Sequence, residues 1–428
     1  MFNKMQSKKN STIYIIGAGI SGLACSIDLV DQNYKVCIYD SSNHAGGRCR
    51  SFYDPLLKRY IDNGNHLLLS GNNLTFEYLK KIGAKNKLTV SSEAIYPFVN
   101  VKNGKRWKVH FNKGIFPWWI LSRNRRIPDS KAYDYLRIIK LGISKKSRRV
   151  EDCLKKNEPL FNELWNPLSI GILNTPGDKA SSFLLWSVIL KTFAKGGKYC
   201  LPCQPKEGLS QTFVNPATAW LKKRKANINF KCLLKRVEIK GNRVTKLFFS
   251  KDSVIIKKHD YVVLAIPPNN LPKLLKGIKV PKNNNAIINI HFRLKKSNQL
   301  PKKTHLLGTI GGKSHWLFFR NDVVSVTISA ANNLINENSD IIANEVWGEV
   351  LKALDLPINS KIPPYKVIKE KRATFSQTPQ GIKLRCDTKT SYENLFLAGD
   401  WTNTNLPATI EGAVKSGKKA ALLITKND

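Results

Sequence analysis

Acidic residues are scarce in this chain: Asp and Glu total 30 against 71 Lys and Arg over 428 residues, a formal charge of +41. Such an imbalance points to nucleic acid, an anionic membrane surface or an acidic partner. No nucleic-acid-binding module accompanies it, and the basic residues are spread along the chain, often beside Asn (KKN, KNK, PKNNN), so no nucleic acid is expected as a partner. An anionic membrane is the better candidate, since headgroups attract Lys and Arg at about 1 kcal/mol each at close range. Long apolar runs are missing too. No segment approaches the roughly 18 apolar residues of a spanning helix, and the N-terminal MFNKMQSKKN lacks the apolar core of a secretory signal. A cytoplasmic protein, peripheral at most on the inner face of the cell membrane, is expected. Cysteine is thin, with eight residues scattered from Cys25 to Cys386 and none of the density of a disulfide scaffold. Cys200 and Cys203 form one CLPC pair, but no second pair or nearby His completes a zinc site, and no metal is expected. Neither an internal repeat nor a long linker divides the chain, so its domains have to be read from where its motifs fall.

What is present begins with Ser11 to Gly22, STIYIIGAGISG. A β-branched apolar strand runs straight into Gly17, Gly19 and Gly22, and Asp40 closes the next strand, YKVCIYD. Strand, glycine turn, helix, second strand and terminal acid together describe a dinucleotide-binding βαβ unit, which a bare G-x-G-x-x-G does not. Gly17 allows the tight turn, Gly19 lets the backbone approach a pyrophosphate, and Gly22 lets a helix starting near Ile20 pack closely on the strand. The helix N-terminus presents free N–H groups and a positive dipole end to the phosphates. Asp40 is placed to bind an adenosine ribose and to disfavour a 2′-phosphate. Ala45-Gly46-Gly47-Arg48 then sets two flexible glycines beside a guanidinium suited to a diphosphate. Tyr60 to His66, YIDNGNH, crowds Asp62, Asn63, Asn65 and His66 around Gly64; an Asx turn with a satisfied His and a site role both fit.

Further along, INFKCLLKRVEI and NRVTKLFFS are β-rich, DYVVLAIPP is a buried-strand pattern ended by two prolines, and NLFLAGD is another buried strand ending in a glycine turn. ATIEGAVKSGKKAALLI follows with helical spacing. One doubly wound sheet built from these blocks would place both chain ends in one domain. The expected fold is α/β, with a Rossmann-like doubly wound dinucleotide-binding domain from 1–90, 205–269 and 390–428 and a discontinuous α+β substrate domain from 91–204 and 270–389. In the latter, AIINIHFRL and VVSVTISA suggest an antiparallel sheet, and Asp340 to Leu354 reads as an amphipathic helix with Asp340 at its N-cap. GIFPWWIL, followed by Arg123, Arg125 and Arg126, fits a membrane interface and a buried core strand equally.

AGGR after the first βαβ unit, DNGNHLLLSGN, EKRATFSQTP and LAGDWTNTNLPATIEGAVKSG together resemble the flavin-dependent amine oxidase and phytoene desaturase superfamily. Within it they are most similar to the squalene-associated FAD-dependent enzymes, the hydroxysqualene dehydroxylases of bacterial hopanoid synthesis. The resemblance implies FAD as the cofactor. It places the diphosphate on the turn of Gly17, Ala18, Gly19, Ser21 and Gly22, and the adenosine ribose on Asp40, which stands where the superfamily commonly has Glu. Gly47 and Arg48 would face the diphosphate or flavin edge, Gly64 and Asn65 the flavin, the Val237 backbone the adenine, and Gly399 and Asp400 the ribitol. A helix from about Ala408 would aim Thr409, Ile410 and Glu411 at the flavin's pyrimidine edge, where a helix N-terminus stabilises the negative charge of reduced flavin. The implied activity is an oxidoreductase acting on a long isoprenoid lipid, with an electron donor outside the chain. His66 is the preferred proton donor, with Asp62 and Glu411 in the same motifs and Glu370 and Arg372 on the substrate side. The alternatives are a carotenoid-type desaturase, an amine oxidase, for which Trp401 offers one wall of an aromatic cage, and a basic membrane-associated binding protein without cofactor.

Overall fold

The computed structural model describes residues 11–156, 158–295, 300–301 and 305–427. The N-terminal decapeptide examined for a leader lies outside them. Strand β1 (Thr12–Ile16), helix α1 (Ile20–Asp31) and strand β2 (Lys35–Tyr39) form a parallel crossover, with β1 and β2 in register from Thr12 opposite Lys35 to Ile16 opposite Tyr39. α1 buries Leu23, Ala24, Ile27 and Leu29 against the sheet. Three more strands, Asn227–Asn229, Tyr261–Leu264 and Leu395–Leu397, join the same sheet, all parallel, with β2 beside the first of them and β1 beside the second. The final helix, Ile410–Asn427, shares a core with α1 through Val414, Ala420, Ala421 and Ile424. Both ends of the described chain therefore close on one parallel sheet.

A second, seven-stranded sheet runs in the order Tyr365–Phe375, Asn284–Arg293, Val323–Ile328, Trp316–Arg320, Leu306–Ile310, Ile95–Asn100, Arg106–His110. Alternation along its strands sorts the two faces. Ile288, Ile290, Val324 and Val326 pack under the helix Ser339–Ala353, whereas Asn289, His291, Ser325 and Thr327 point the other way, toward the 62–66 loop. The cap of that helix is Asn338, whose Oδ1 accepts the Asp340 N–H at 2.7 Å; Asp340 sits inside the first turn, which corrects the expected cap by two residues. GIFPWWIL is not a core strand. Trp118–Leu121 form a 3₁₀ turn in which Trp119 is buried and Trp118 is 66% exposed. None of the described helices is long and apolar enough to cross a membrane.

Candidate active site

At the end of β2 the Asp40 carboxylate accepts the Ala18 N–H at 2.7 Å through Oδ2, and the Ser42 N–H at 2.8 Å and hydroxyl at 2.5 Å through Oδ1. It thus ties the strand end to the glycine turn. Gly17 has φ +113°, and a Cβ on Gly22 would stand 1.9 Å from the Gly17 carbonyl oxygen. Gly19 differs, since a Cβ there would meet nothing within 4 Å. The space before it is bordered by Gly47, whose Cβ would approach the Gly19 Cα at 3.6 Å, and by the first turn of α1, which has neither a side-chain cap nor an acidic residue. Ser21 and its neighbours present unpaired first-turn N–H groups and the helix's positive end to this cradle. That donor set, with room for which glycine leaves the backbone bare, fits the diphosphate of a dinucleotide.

Distant parts of the chain meet at an ion pair. Arg48 Nη2 contacts Asp400 Oδ1 at 2.8 Å and Oδ2 at 2.7 Å across 352 positions, and Nη1 donates to the Ala373 carbonyl. Asp400 holds the guanidinium charged beyond its ordinary range, and 45% of the Arg48 side chain is open to water. The Asp400 turn is held in place by Arg385, 7% exposed, which donates to the carbonyls of Asp400 (3.0 Å), Leu406 (2.7 Å) and Trp401 (3.3 Å) and to Thr404 Oγ1 (2.9 Å). Gln377, fully buried, accepts the Ala408 N–H at 2.9 Å and donates to the Leu173 carbonyl at 2.6 Å, fastening the approach to the final helix. Arg385 is not signalled in the sequence, and Gln377 lies in EKRATFSQTP without its role showing, because most of their partners are main-chain groups that carry no residue pattern. Trp401 points into the core, with Nε1 donating to the Ile266 carbonyl at 3.0 Å, so it forms no wall of a cage.

The final helix begins at Ile410 rather than Ala408, with Thr409 Oγ1 accepting the Gly412 N–H at 3.2 Å. Glu411 turns its carboxylate away, accepting the Leu74 N–H (3.2 Å), Thr75 N–H (2.8 Å) and Thr75 hydroxyl (2.6 Å) at the start of the helix Asn73–Lys81. As a free acid Glu411 is thereby corrected: it is a cap supplied from a remote helix. Glu411→Ala should cost about 2–3 kcal/mol, read as a lower urea midpoint. Asp62 is corrected in the same way. Oδ1 accepts the Ser51 hydroxyl (2.6 Å) and Leu209 N–H (2.9 Å) while Oδ2 pairs with Arg320 Nη1 (2.7 Å), leaving a buried hub.

His66 stands apart from these. It is half-buried, and its ring makes no hydrogen bond among the described residues. Burial pushes it down to about 4, with Asp62 and Asp400 opposing and Arg48 reinforcing that shift. His66 thus feels the charges of the Arg48–Asp400 pair and of Asp62. His291 is the satisfied histidine, bonded to Ser325 Oγ at 2.7 Å and the Asp62 carbonyl at 3.0 Å. Asn65 reaches Thr327 Oγ1 at 3.0 Å, and a Cβ on Gly64 would face Asn289 Nδ2 at 3.5 Å. Glu370 receives Asn63 Nδ2 at 3.3 Å, and Arg372 follows on the same strand with an exposed side chain. Val237 is a core residue of the strand Leu234–Lys240, opposite Leu247. Cys200 and Cys203 are buried, which pushes both thiols up to about 12, and among the described residues no group of three His, Cys, Asp or Glu could hold a metal.

Residues 20–425 match the model of the family described as flavin containing amine oxidoreductase. The hydroxysqualene dehydroxylase of Rhodopseudomonas palustris is 39% identical over 416 residues, covering 97% of this chain and 98% of that protein. A zeta-carotene desaturase of Solanum lycopersicum is 23% identical over 478 residues, covering 96% of this chain and 80% of that one. Among solved structures, cyclohexylamine oxidase from Brevibacterium oxydans superposes with a TM-score of 0.69 at 15% identity, covering 97% of this chain and 99% of its own, which shows a shared fold. The chain belongs to the flavin containing amine oxidoreductase family and is an FAD-dependent oxidoreductase.

Proposed function

We propose that this protein removes the allylic hydroxyl of hydroxysqualene reductively, giving squalene. The observation that carries the reading is its near-full-length likeness to a hydroxysqualene dehydroxylase, well above its likeness to a desaturase. The reaction balances as alcohol plus proton plus hydride giving hydrocarbon plus water. When bound, reduced FAD supplies the hydride. Gly17, Ala18, Gly19, Ser21, Gly22, Gly47 and Arg48 would hold the diphosphate, Asp40 the ribose, the Val237 backbone the adenine, Gly399 and Asp400 the ribitol. The N–H groups of Thr409, Ile410 and Glu411, with Gly64 and Asn65, would orient the ring. The proposal takes 1–90, 205–269 and 390–428 as the FAD-binding unit and the remainder as the substrate unit. An electron donor outside the chain and contact with an anionic membrane complete it. Exclusion of water would protect the allylic cation that loss of the hydroxyl leaves. The amine oxidase alternative lacks the cage wall that Trp401 was expected to offer.

Anaerobic incubation of chemically reduced holoenzyme with hydroxysqualene should yield squalene. No squalene, together with a coloured polyene from phytoene and oxidised enzyme, would move the reading to desaturation. His66 would deliver the proton to the departing hydroxyl. Because burial holds its pKa to about 4, the imidazolium is the minor form at neutral pH. Turnover routed through it rises about tenfold per unit as pH falls from 7 toward 5 and levels near 4. His66→Ala should retain FAD and lose that slope; full turnover with the slope intact would remove His66 from the mechanism.

A further inference from the structure

We propose that residues 113–146 form a platform that inserts into the surface of an anionic lipid leaflet and seats the apolar interior against the bilayer. The proposal deepens the reading of the substrate as an isoprenoid lipid and rests on it only for the direction of substrate entry. Phe116, Trp118, Leu121, Leu136, Ile139 and Ile143 are 52–80% exposed. Leu136, Ile139 and Ile143 follow the three- and four-residue spacing of one helical face. This is a built surface. Between the exposed residues Trp119, Ile127, Tyr135 and Leu141 are buried at 0–7% exposure, and the rings of Trp119 and Tyr135 meet edge-on at 5.1 Å, joining the two turns. Asn112 Nδ2 donates to the Phe116 carbonyl at 2.7 Å, Arg126 Nη1 to the Ile120 carbonyl at 2.8 Å, and the Ile127 N–H to Tyr135 Oη at 2.9 Å.

Charge identifies the occupant. The segment carries nine Lys and Arg against two Asp. Both acids are engaged, Asp129 with Lys105 at 2.8 Å and Asp134 with the Lys131 N–H at 2.8 Å. Among the described residues Arg123, Arg125, Lys140 and Lys145 pair with no acid. A second copy of this cationic face would be repelled, whereas an anionic leaflet accepts the apolar side chains and the cations together. The apolar cluster holding Trp119, Tyr135 and Leu141 also contains Leu69, Phe98 and Trp316, with Leu67, next to His66, packed on it. An unbroken apolar layer thus leads from the platform toward the candidate site.

Holoenzyme should float with phosphatidylcholine vesicles containing phosphatidylglycerol, and the combined variant Phe116→Ser, Trp118→Ser, Ile143→Ser should bind them about tenfold less, with flavin content unchanged. Arg123→Glu with Lys145→Glu should also lower binding by about tenfold. Parental protein that fails to float, or an apolar variant that binds like the parent, overturns the proposal. Hydroxysqualene turnover is read separately in detergent micelles. The apolar variant should match the parent there and fall behind only on vesicle-borne substrate. A parent inactive in both media would sink the dehydroxylase reading while leaving the flotation result to judge the platform.

Discussion

Gly22→Ala should yield a colourless, poorly folded protein, whereas Gly19→Ala should fold normally and still lose its flavin. The added methyl at Gly22 stands 1.9 Å from the Gly17 carbonyl oxygen and 3.1 Å from its carbon. That carbonyl cannot retreat, because Gly17 at φ +113° is already packed so tightly that a Cβ on it would be 2.3 Å from the Ala265 carbonyl oxygen. Overpacking against a flexible side chain costs about 1–3 kcal/mol; against two backbones it should exceed that, a large share of a typical stability of about 5–15 kcal/mol. At Gly19 the methyl meets nothing, so the empty fold is spared while the cradle is filled. Circular dichroism and thermal midpoint should separate the two variants, and the visible flavin band should be missing from both. Gly19→Ala purified with a full flavin complement would show that the diphosphate lies elsewhere.

Arg385→Met should lose about 3 kcal/mol of stability and at least nine-tenths of its flavin. Four oxygens, from Asp400, Trp401, Thr404 and Leu406, converge on one buried guanidinium, and leaving such acceptors unsatisfied costs about 1–3 kcal/mol each before relaxation. Burial pushes Arg385 down to about 10, so it remains charged at neutral pH while its burial works against folding. Its contribution comes from the hydrogen bonds, which hold the backbone that presents Asp400 to Arg48. Arg385→Lys should rescue little, since an ammonium cannot reproduce the planar fork. Urea unfolding and flavin dissociation report both effects, and a lysine variant with parental flavin affinity would reduce Arg385 to a generic cation.

The sequence reveals most where local geometry constrains residue type. β1, its glycine turn, α1 and Asp40 are readable because each step admits few residues, and the buried strand ending at Ala398-Gly399-Asp400 for the same reason. What pattern cannot show is which way a side chain turns once the chain is packed. Glu411 and Asp62 both lie in motifs that read as part of a site, and both are consumed as hydrogen-bond hubs. Arg385, silent in the sequence, and Gln377, inside EKRATFSQTP but with its role hidden there, hold the loops of the site through main-chain oxygens and an N–H. The exposed face at Trp118 was ambiguous because interfacial and core segments share a composition, and only the fold separates Trp118 from Trp119.

The parallel sheet also dictates an order of events during synthesis. Its strand Tyr261–Leu264 borders β1 on one side and Leu395–Leu397 on the other, so one edge stays open until the latter leaves the ribosome, about ten seconds later at ordinary elongation rates. During that interval an apolar YVVL edge is a template for wrong pairing, and Asp400 does not yet exist to meet Arg48. Cofactor loading is therefore a late event, and the nascent chain is most exposed to chaperones and aggregation while residues 265–397 are being made.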